Sequence, residues 1–233
     1  MFAAALPSME ALLARAEALA PRLLALHGPP PEPRFDQDWF PRLDAAVLYA
    51  LLRDRKPARM VEVGSGHSTR FAARAVRDAG AATELVCVDP APRARLDGLP
   101  ARHVPALLQD ADPGLFASLG PGDVLFIDSS HVAMPGSDVD LLLNGVLPRL
   151  PAGALVHVHD VFLPDPYPEE WAWRGYNEQV AVGCLLQGAA YGILFASRYM
   201  VTRRAERLAA SPLAGLPLMP GVLESSLWLE KRG

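Results

Sequence analysis

The sequence is poor in cysteine, in basic charge and in long apolar runs. Its two cysteines, Cys87 and Cys184, have no cysteine or histidine at metal-ligand spacing, so we expect buried free thiols. The net charge of −4 argues against a nucleic-acid partner held by a broad basic surface. No apolar run approaches the roughly 18 residues that a membrane-spanning helix needs. The N-terminal stretch lacks the basic start of a signal peptide, so we expect a soluble, cytoplasmic protein without a membrane partner.

The first 56 residues have a pattern of their own. Apolar residues recur at helical spacing on both sides of the proline-rich stretch "HGPPPEP", which predicts two amphipathic helices joined by a stiff linker. We expect residues 1–56 to be an N-terminal helical extension that covers the main domain, residues 57–233. The sequence leaves open whether the chain forms a homo-oligomer.

From residue 58 onward, short apolar runs alternate with stretches of helical spacing. The predicted strands are "RMVEVG", "ELVCVD", "ARHVPAL", "DVLFID" and "ALVHVHD", and the predicted helices between them lie near 68–79, 93–96, 112–119 and 138–150. This alternation is typical of a parallel sheet with right-handed crossovers. A helix near 177–187 and two further strands, "YGILFAS" and "SSLWLEK", follow. Such sheets bind ligands at the carboxyl ends of their strands, and acidic residues stand at nearly all of these ends.

The first of these strand ends is a glycine-rich turn, "GSGHST". Gly64 and Gly66 let the backbone approach a ligand closely, and a helix starting near Ser68 offers unpaired N–H groups. Asp89, at the end of the next strand, is placed to accept hydrogen bonds from ribose hydroxyls. Glu62 precedes the turn and would repel a pyrophosphate, whereas it suits a ligand with an amine and a sulfonium. These charges favour S-adenosylmethionine over a dinucleotide.

The ordered motifs "VEVGSGHSTRFAAR", "CVDP", "VLFIDSSHV" and "VHVHDVFLP" resemble those of class I S-adenosylmethionine-dependent methyltransferases. The similarity is greatest to a small bacterial group that includes macrolide-sugar O-methyltransferases and cephalosporin-hydroxylase-like proteins. It implies an α/β fold, a Rossmann-like three-layer sandwich whose mostly parallel seven-stranded sheet has an antiparallel last strand. It also implies a methyltransferase that acts on an oxygen atom of a small polar acceptor molecule. The cofactor-binding residues that it implies are Glu62, Gly64, Ser65, Gly66, Ser68, Asp89, Gln109 and Asp110.

A second group of polar residues follows the fourth and fifth strands. Asp128 and His131 lie in "IDSSHV", and His159 and Asp160 lie in "HVHD". Because neighbouring parallel strands are about 4.8 Å apart, Asp128, His159 and Asp160 are predicted to meet and to bind Mg²⁺. The resemblance implies that His131 is the general base, with Asp128 beside it. His159 departs from the family's paired acidic residues, so the alternative, that Asp128 and Asp160 only cap loops and orient substrate, stays open.

The segment "FLPDPYPEEWAWRGYNEQ" after the fifth strand is rich in aromatic residues and proline. We expect it to form a wall of the acceptor pocket and to exclude water. The predicted contacts are Trp171, Trp173, Tyr176, Asn177 and Glu178.

Two other functions remain open at this stage. A nicotinamide-dependent oxidoreductase would use the same sheet, but Thr69 stands where the dinucleotide fingerprint has its third glycine. A non-catalytic binding module would keep the fold, but it would not need Asp89, Asp128, His131 and Asp160 together.

Overall fold

The structure, a computed structural model, describes all 233 residues and contains one seven-stranded sheet in the order β3-β2-β1-β4-β5-β7-β6. β1 to β5 are parallel, and β7 runs antiparallel to both β5 and β6. The predicted fold class is therefore confirmed. The strands are β1 Arg59–Val63, β2 Glu84–Val88, β3 Ala101–Val104, β4 Val124–Ile127, β5 Leu155–Val158, β6 Tyr191–Ala196 and β7 Leu227–Lys231.

Nine α-helices surround the sheet. They are α1 Leu6–Ala18, α2 Ala20–Leu24, α3 Arg42–Arg55, α4 His67–Ala79, α5 Gly114–Ala117, α6 Asp138–Asp140, α7 Glu178–Gln187, α8 Ser197–Arg203 and α9 Ala205–Ala209. Glu169–Arg174 forms a 3₁₀-helix. The helices are all too short or too polar to span a membrane.

The predicted helices differ from the observed ones where proline or a side-chain cap interrupts the backbone pattern. The stretch 93–96, between Pro92 and Gly98, is not helical. The predicted helix at 112–119 shrinks to α5, where Asp112 accepts a hydrogen bond from the backbone N–H of Gly114. The helix at 138–150 continues beyond α6 as π and 3₁₀ turns, since Pro148 has no N–H to donate.

The N-terminal helices and the sheet share one hydrophobic core of 55 buried residues. Met9 and Leu13 of α1 and Leu48 of α3 belong to it together with Val61 and Phe126 of the sheet. β1 and β4 are buried almost throughout, as expected for parallel strands that are covered on both faces. Residues 1–56 therefore pack as part of the core, and the predicted boundary at residue 57 stays a prediction.

The two cysteines differ in burial. Cys87 is buried on β2, as expected, whereas Cys184 is exposed on α7, so the expectation of two buried thiols is wrong for Cys184. The apolar residues beside Cys184 in sequence do not bury it, because neighbours along a helix point in different directions.

Candidate active site

A cavity of about 870 Å³ opens at the carboxyl ends of β1, β2, β4 and β5. Most of the predicted site residues line it, namely Gly64, Ser65, Gly66, Ser68, Asp89, Gln109, Asp128, His131, His159 and Asp160. Glu62 and Asp110 do not line it. The strand order explains why these residues meet. β1 and β4 are neighbours, and the strands added after β1 lie on one side of this pair while those after β4 lie on the other, which opens a crevice at their carboxyl ends.

The glycine turn packs directly against the end of β4. Gly64 has a φ of +81°, and a Cβ atom at this position would lie 1.8 Å from the carbonyl oxygen of Asp128. No side chain fits such a gap, so this position requires glycine for both conformation and space. The turn thus holds Asp128 close to the start of α4.

Asp89 fixes the turn from the end of β2. Its Oδ2 accepts hydrogen bonds from the backbone N–H of Ser65 at 2.7 Å and from the Ser65 hydroxyl at 2.9 Å. Its Oδ1 accepts one from the backbone N–H of Ala91 at 2.8 Å. A carboxylate has about four lone-pair sites, so Asp89 keeps one free acceptor site, on Oδ1, beside the cavity.

Glu62 faces the first turn of α4 instead of the cavity. Its carboxylate accepts hydrogen bonds from the hydroxyl groups of Ser68 at 2.5 Å and Thr69 at 2.6 Å, and Cys87 Sγ lies 3.3 Å away. Burial raises the pKa of Glu62 to about 7, although these hydrogen bonds oppose the shift. Glu62 therefore acts on the glycine turn through Ser68, and the expected direct contact with a ligand amine has no counterpart in this geometry.

Two aspartates and two histidines meet at the ends of β4 and β5. His131 Nε2 lies 3.3 Å from Asp128 Oδ1 and 3.5 Å from Asp160 Oδ2. His159 Nδ1 lies 3.6 Å from Asp128 Oδ1 and 3.4 Å from Asp160 Oδ1. We call these four residues the acid–histidine cluster. The order of the strands predicts that Asp128, His159 and Asp160 meet, and His131 joins them from the loop after β4.

Opposite charges dominate the electrostatics of the acid–histidine cluster. Burial favours the neutral forms of Asp128, His131 and His159, but the ion pairs outweigh it. Contacts with His159 and His131 lower the pKa of Asp128, and the carboxylates raise the pKa of His131 and His159 well above the usual value. Both imidazoles therefore hold their protons strongly.

Comparison with known proteins places these features in a family. Residues 61–161, less than half of the chain, match the model of a family described as a methyltransferase domain. The chain carries a methyltransferase domain. The matched stretch runs from β1 to just beyond Asp160, so it includes the glycine turn, Asp89 and the acid–histidine cluster. No curated protein sequence matches the chain.

Solved structures share the fold of this methyltransferase at low sequence identity. A methyltransferase of Podospora anserina, solved with S-adenosylhomocysteine, is 18% identical with a TM-score of 0.52, and the alignment covers 95% of this chain and 88% of that one. The O-methyltransferase TomG of Streptomyces achromogenes, which is involved in tomaymycin synthesis and was solved with S-adenosylmethionine, is 19% identical. Its TM-score is 0.50, with 95% and 90% of the two chains covered.

The acid–histidine cluster of the methyltransferase does not fit Mg²⁺ as it stands. Mg²⁺ requires oxygen ligands in near-octahedral geometry, whereas two of the four groups here are imidazoles, whose nitrogen atoms suit other metals better. No group of three or more His, Cys, Asp or Glu side chains is arranged to hold a metal ion. The Mg²⁺ site at Asp128, His159 and Asp160 stays a prediction.

Sequence reasoning missed one carboxylate of the site and misjudged another. Asp44, in the first turn of α3, is fully buried and places Oδ2 3.4 Å from His159 Nε2. It also accepts hydrogen bonds from the backbone N–H groups of Ser225 and Ser226. Glu178 was expected to contact the acceptor, but it is buried and lies 2.9 Å from His131 Nδ1. An acidic residue in an otherwise apolar helix face was the only signal for Asp44.

The aromatic segment contributes part of the cavity wall. Trp171 and Tyr176 line the cavity, and the Tyr176 ring lies 4.7 Å from the His131 ring. Trp173 is 80% exposed and does not line the cavity. Asn177 instead accepts a hydrogen bond from the backbone N–H of Ala133 at 2.6 Å, so it fixes the loop that carries His131.

Proposed function

We propose that this methyltransferase transfers a methyl group from S-adenosylmethionine to an oxygen atom of a small polar molecule. The observation that carries the proposal is the continuous cavity that joins the glycine turn and Asp89 to the acid–histidine cluster. The description of the Streptomyces achromogenes protein as an O-methyltransferase is consistent with it.

The residues at the glycine turn fit the cofactor. The bare backbone of Gly64 and the start of α4 would hold its methionine end, where unpaired N–H groups suit a carboxylate. Asp89 would accept a hydrogen bond from a ribose hydroxyl at its free Oδ1 site. Gln109, which lines the same cavity, would lie on the adenine side. When bound, the cofactor supplies an activated methyl group on a sulfonium.

His131 would accept the proton of the acceptor hydroxyl as the oxygen–carbon bond forms and the carbon–sulfur bond breaks. Its Nδ1 contacts Glu178 and its Nε2 faces Asp128 and Asp160, so the ring is held from both sides. A raised pKa makes the neutral imidazole a stronger base but leaves less of it at pH 7. The remaining catalysis would come from positioning, since methyl transfer is an in-line displacement.

Calorimetric titration with S-adenosylhomocysteine, with NADH as the competing ligand, tests the cofactor. We expect saturable binding of S-adenosylhomocysteine and no heat from NADH. No heat and no thermal shift at millimolar S-adenosylhomocysteine would contradict the proposal, whereas binding of NADH alone would favour the oxidoreductase. Transfer of labelled methyl to any acceptor, measured with Mg²⁺ and again with EDTA, separates an enzyme from a binding module and tests the predicted metal.

A further inference from the structure

Two arginines line the cavity, Arg93 and Arg174, and neither forms a salt bridge. Arg93 belongs to the cofactor end, where its backbone N–H donates to Ser65 O and its guanidinium lies over the Trp39 ring. Arg174 lies at the opposite, acceptor end, in the aromatic segment. A cation without a carboxylate partner in a cavity with so many acidic groups requires an explanation.

Aromatic rings hold the guanidinium of Arg174 in a fixed orientation. Its Cζ lies 4.4 Å from the ring centroid of Trp171, 5.2 Å from that of Trp173 and 5.4 Å from that of Tyr176. Nη1 donates a hydrogen bond to the Tyr176 hydroxyl at 3.1 Å. Such contacts orient a guanidinium without neutralising its charge.

The other edge of the guanidinium has no partner. Nε of Arg174 is buried and forms no hydrogen bond, and Nη2 on the same edge forms none either. These two N–H groups are parallel and match the two oxygens of a carboxylate or phosphate group. A buried donor without a partner costs stability. A ligand oxyanion that binds Nη2 and reaches Nε after a small side-chain shift would satisfy a donor that the fold leaves unpaired.

The Tyr176 ring lies close to both the guanidinium of Arg174 and His131, the proposed base. Its ring centroid lies 4.7 Å from that of His131 and 5.4 Å from Arg174 Cζ, so the guanidinium carbon is at most about 10 Å from the His131 ring centroid. One small molecule spans this distance.

We propose that the methyl acceptor is a compact hydroxylated acid whose carboxylate or phosphate group binds Arg174 while its hydroxyl lies at His131. This inference rests on the proposed function, because it names the acceptor class of the same site. Arg174 would then orient the acceptor, with its oxyanion at the guanidinium and away from the carboxylates of Asp128 and Asp160.

The test compares acids with their neutral counterparts. Transfer of labelled methyl is measured for 3,4-dihydroxybenzoate against 3,4-dihydroxybenzamide, and for glucose 6-phosphate against glucose. We expect one acid to exceed its neutral counterpart at least about tenfold in kcat/KM, as charge-assisted hydrogen bonds typically provide. In Arg174→Gln this preference should fall to within about twofold, while Arg174→Lys, which keeps the charge but loses the paired donors, should be intermediate.

Arg53→Gln is the matched control. Arg53 also lies over a tyrosine ring, 5.4 Å from the Tyr49 centroid, and contacts its hydroxyl, but it is outside the cavity. The acid preference should survive in this variant. Preference for the neutral member of each pair, or an acid preference that persists in Arg174→Gln, would overturn the inference.

If none of the four probes is methylated, the inference is tested by measuring the binding of the same probes by calorimetry. Binding of an acid that is lost in Arg174→Gln supports the inference, and the absence of acid binding overturns it. This calorimetric comparison of each acid with its neutral counterpart needs no cofactor. Failure of S-adenosylhomocysteine to bind would therefore overturn the proposed function alone.

Discussion

Gly64 is the position where a single methyl group would disturb both the fold and the site. In Gly64→Ala the new Cβ would lie 1.8 Å from Asp128 O, whereas real Cβ atoms essentially never approach closer than 3.0 Å. The turn must therefore move by more than 1 Å relative to the end of β4. The movement would displace the glycine turn, Asp128 or both.

The expected loss in free energy of unfolding in Gly64→Ala has two separate causes. A positive φ costs a residue other than glycine about 1–2 kcal/mol, and an extra carbon atom in a packed region costs about 1–3 kcal/mol more. Gly80, the C-terminal cap of α4, isolates the first cost, because its φ is +56° and a Cβ there would meet nothing within 4 Å. Gly64→Ala should therefore lower the free energy of unfolding by about 1–3 kcal/mol more than Gly80→Ala.

Urea denaturation measures the two free energies of unfolding, and calorimetry measures S-adenosylhomocysteine affinity in each variant. We expect weakened binding in Gly64→Ala and unchanged binding in Gly80→Ala. Equal stability and equal affinity in the two variants would show that the turn relaxes freely, and the argument from close approach would be wrong.

Three further variants test separate parts of the site. Asp89→Ala should weaken S-adenosylhomocysteine binding by about 1–3 kcal/mol in calorimetry, since a buried polar partner is lost; unchanged affinity would place the ribose contact elsewhere. The pKa of Glu62 is higher in the folded chain, about 7, than in the unfolded chain. The free energy of unfolding should therefore fall by up to about 1.4 kcal/mol per pH unit as the pH rises towards 7. Chemical denaturation at several pH values should show this slope in the wild type and a flatter one in Glu62→Gln; equal slopes would contradict the assignment. His131→Ala should lower turnover ~10²–10⁴-fold while S-adenosylhomocysteine affinity is kept, and activity within a few-fold of the wild type would leave positioning as the main source of catalysis.

Asp128, His159 and Asp160 lie together as predicted, because their meeting depends on strand order; their roles stay predictions. Asp128 and His159 follow adjacent parallel strands, and their pairing follows from β4 lying beside β5. The orientation of Glu62 was not predictable in the same way. Its position at the end of β1 is a local property, but the hydroxyl groups that turn it away from the cavity come from α4, which packs over the sheet.

The sequence by itself determined the strand pattern, the glycine turn and the set of polar strand ends, because each depends on local spacing and on the burial of parallel strands. Tertiary structure alone decided which partners these groups receive. Asp44 reaches His159 from the N-terminal extension, and Glu178 reaches His131 from α7. Arg174 lines the same cavity. The contacts of Asp44 with His159 and of Glu178 with His131 join residues far apart in the chain, and no local periodicity records them.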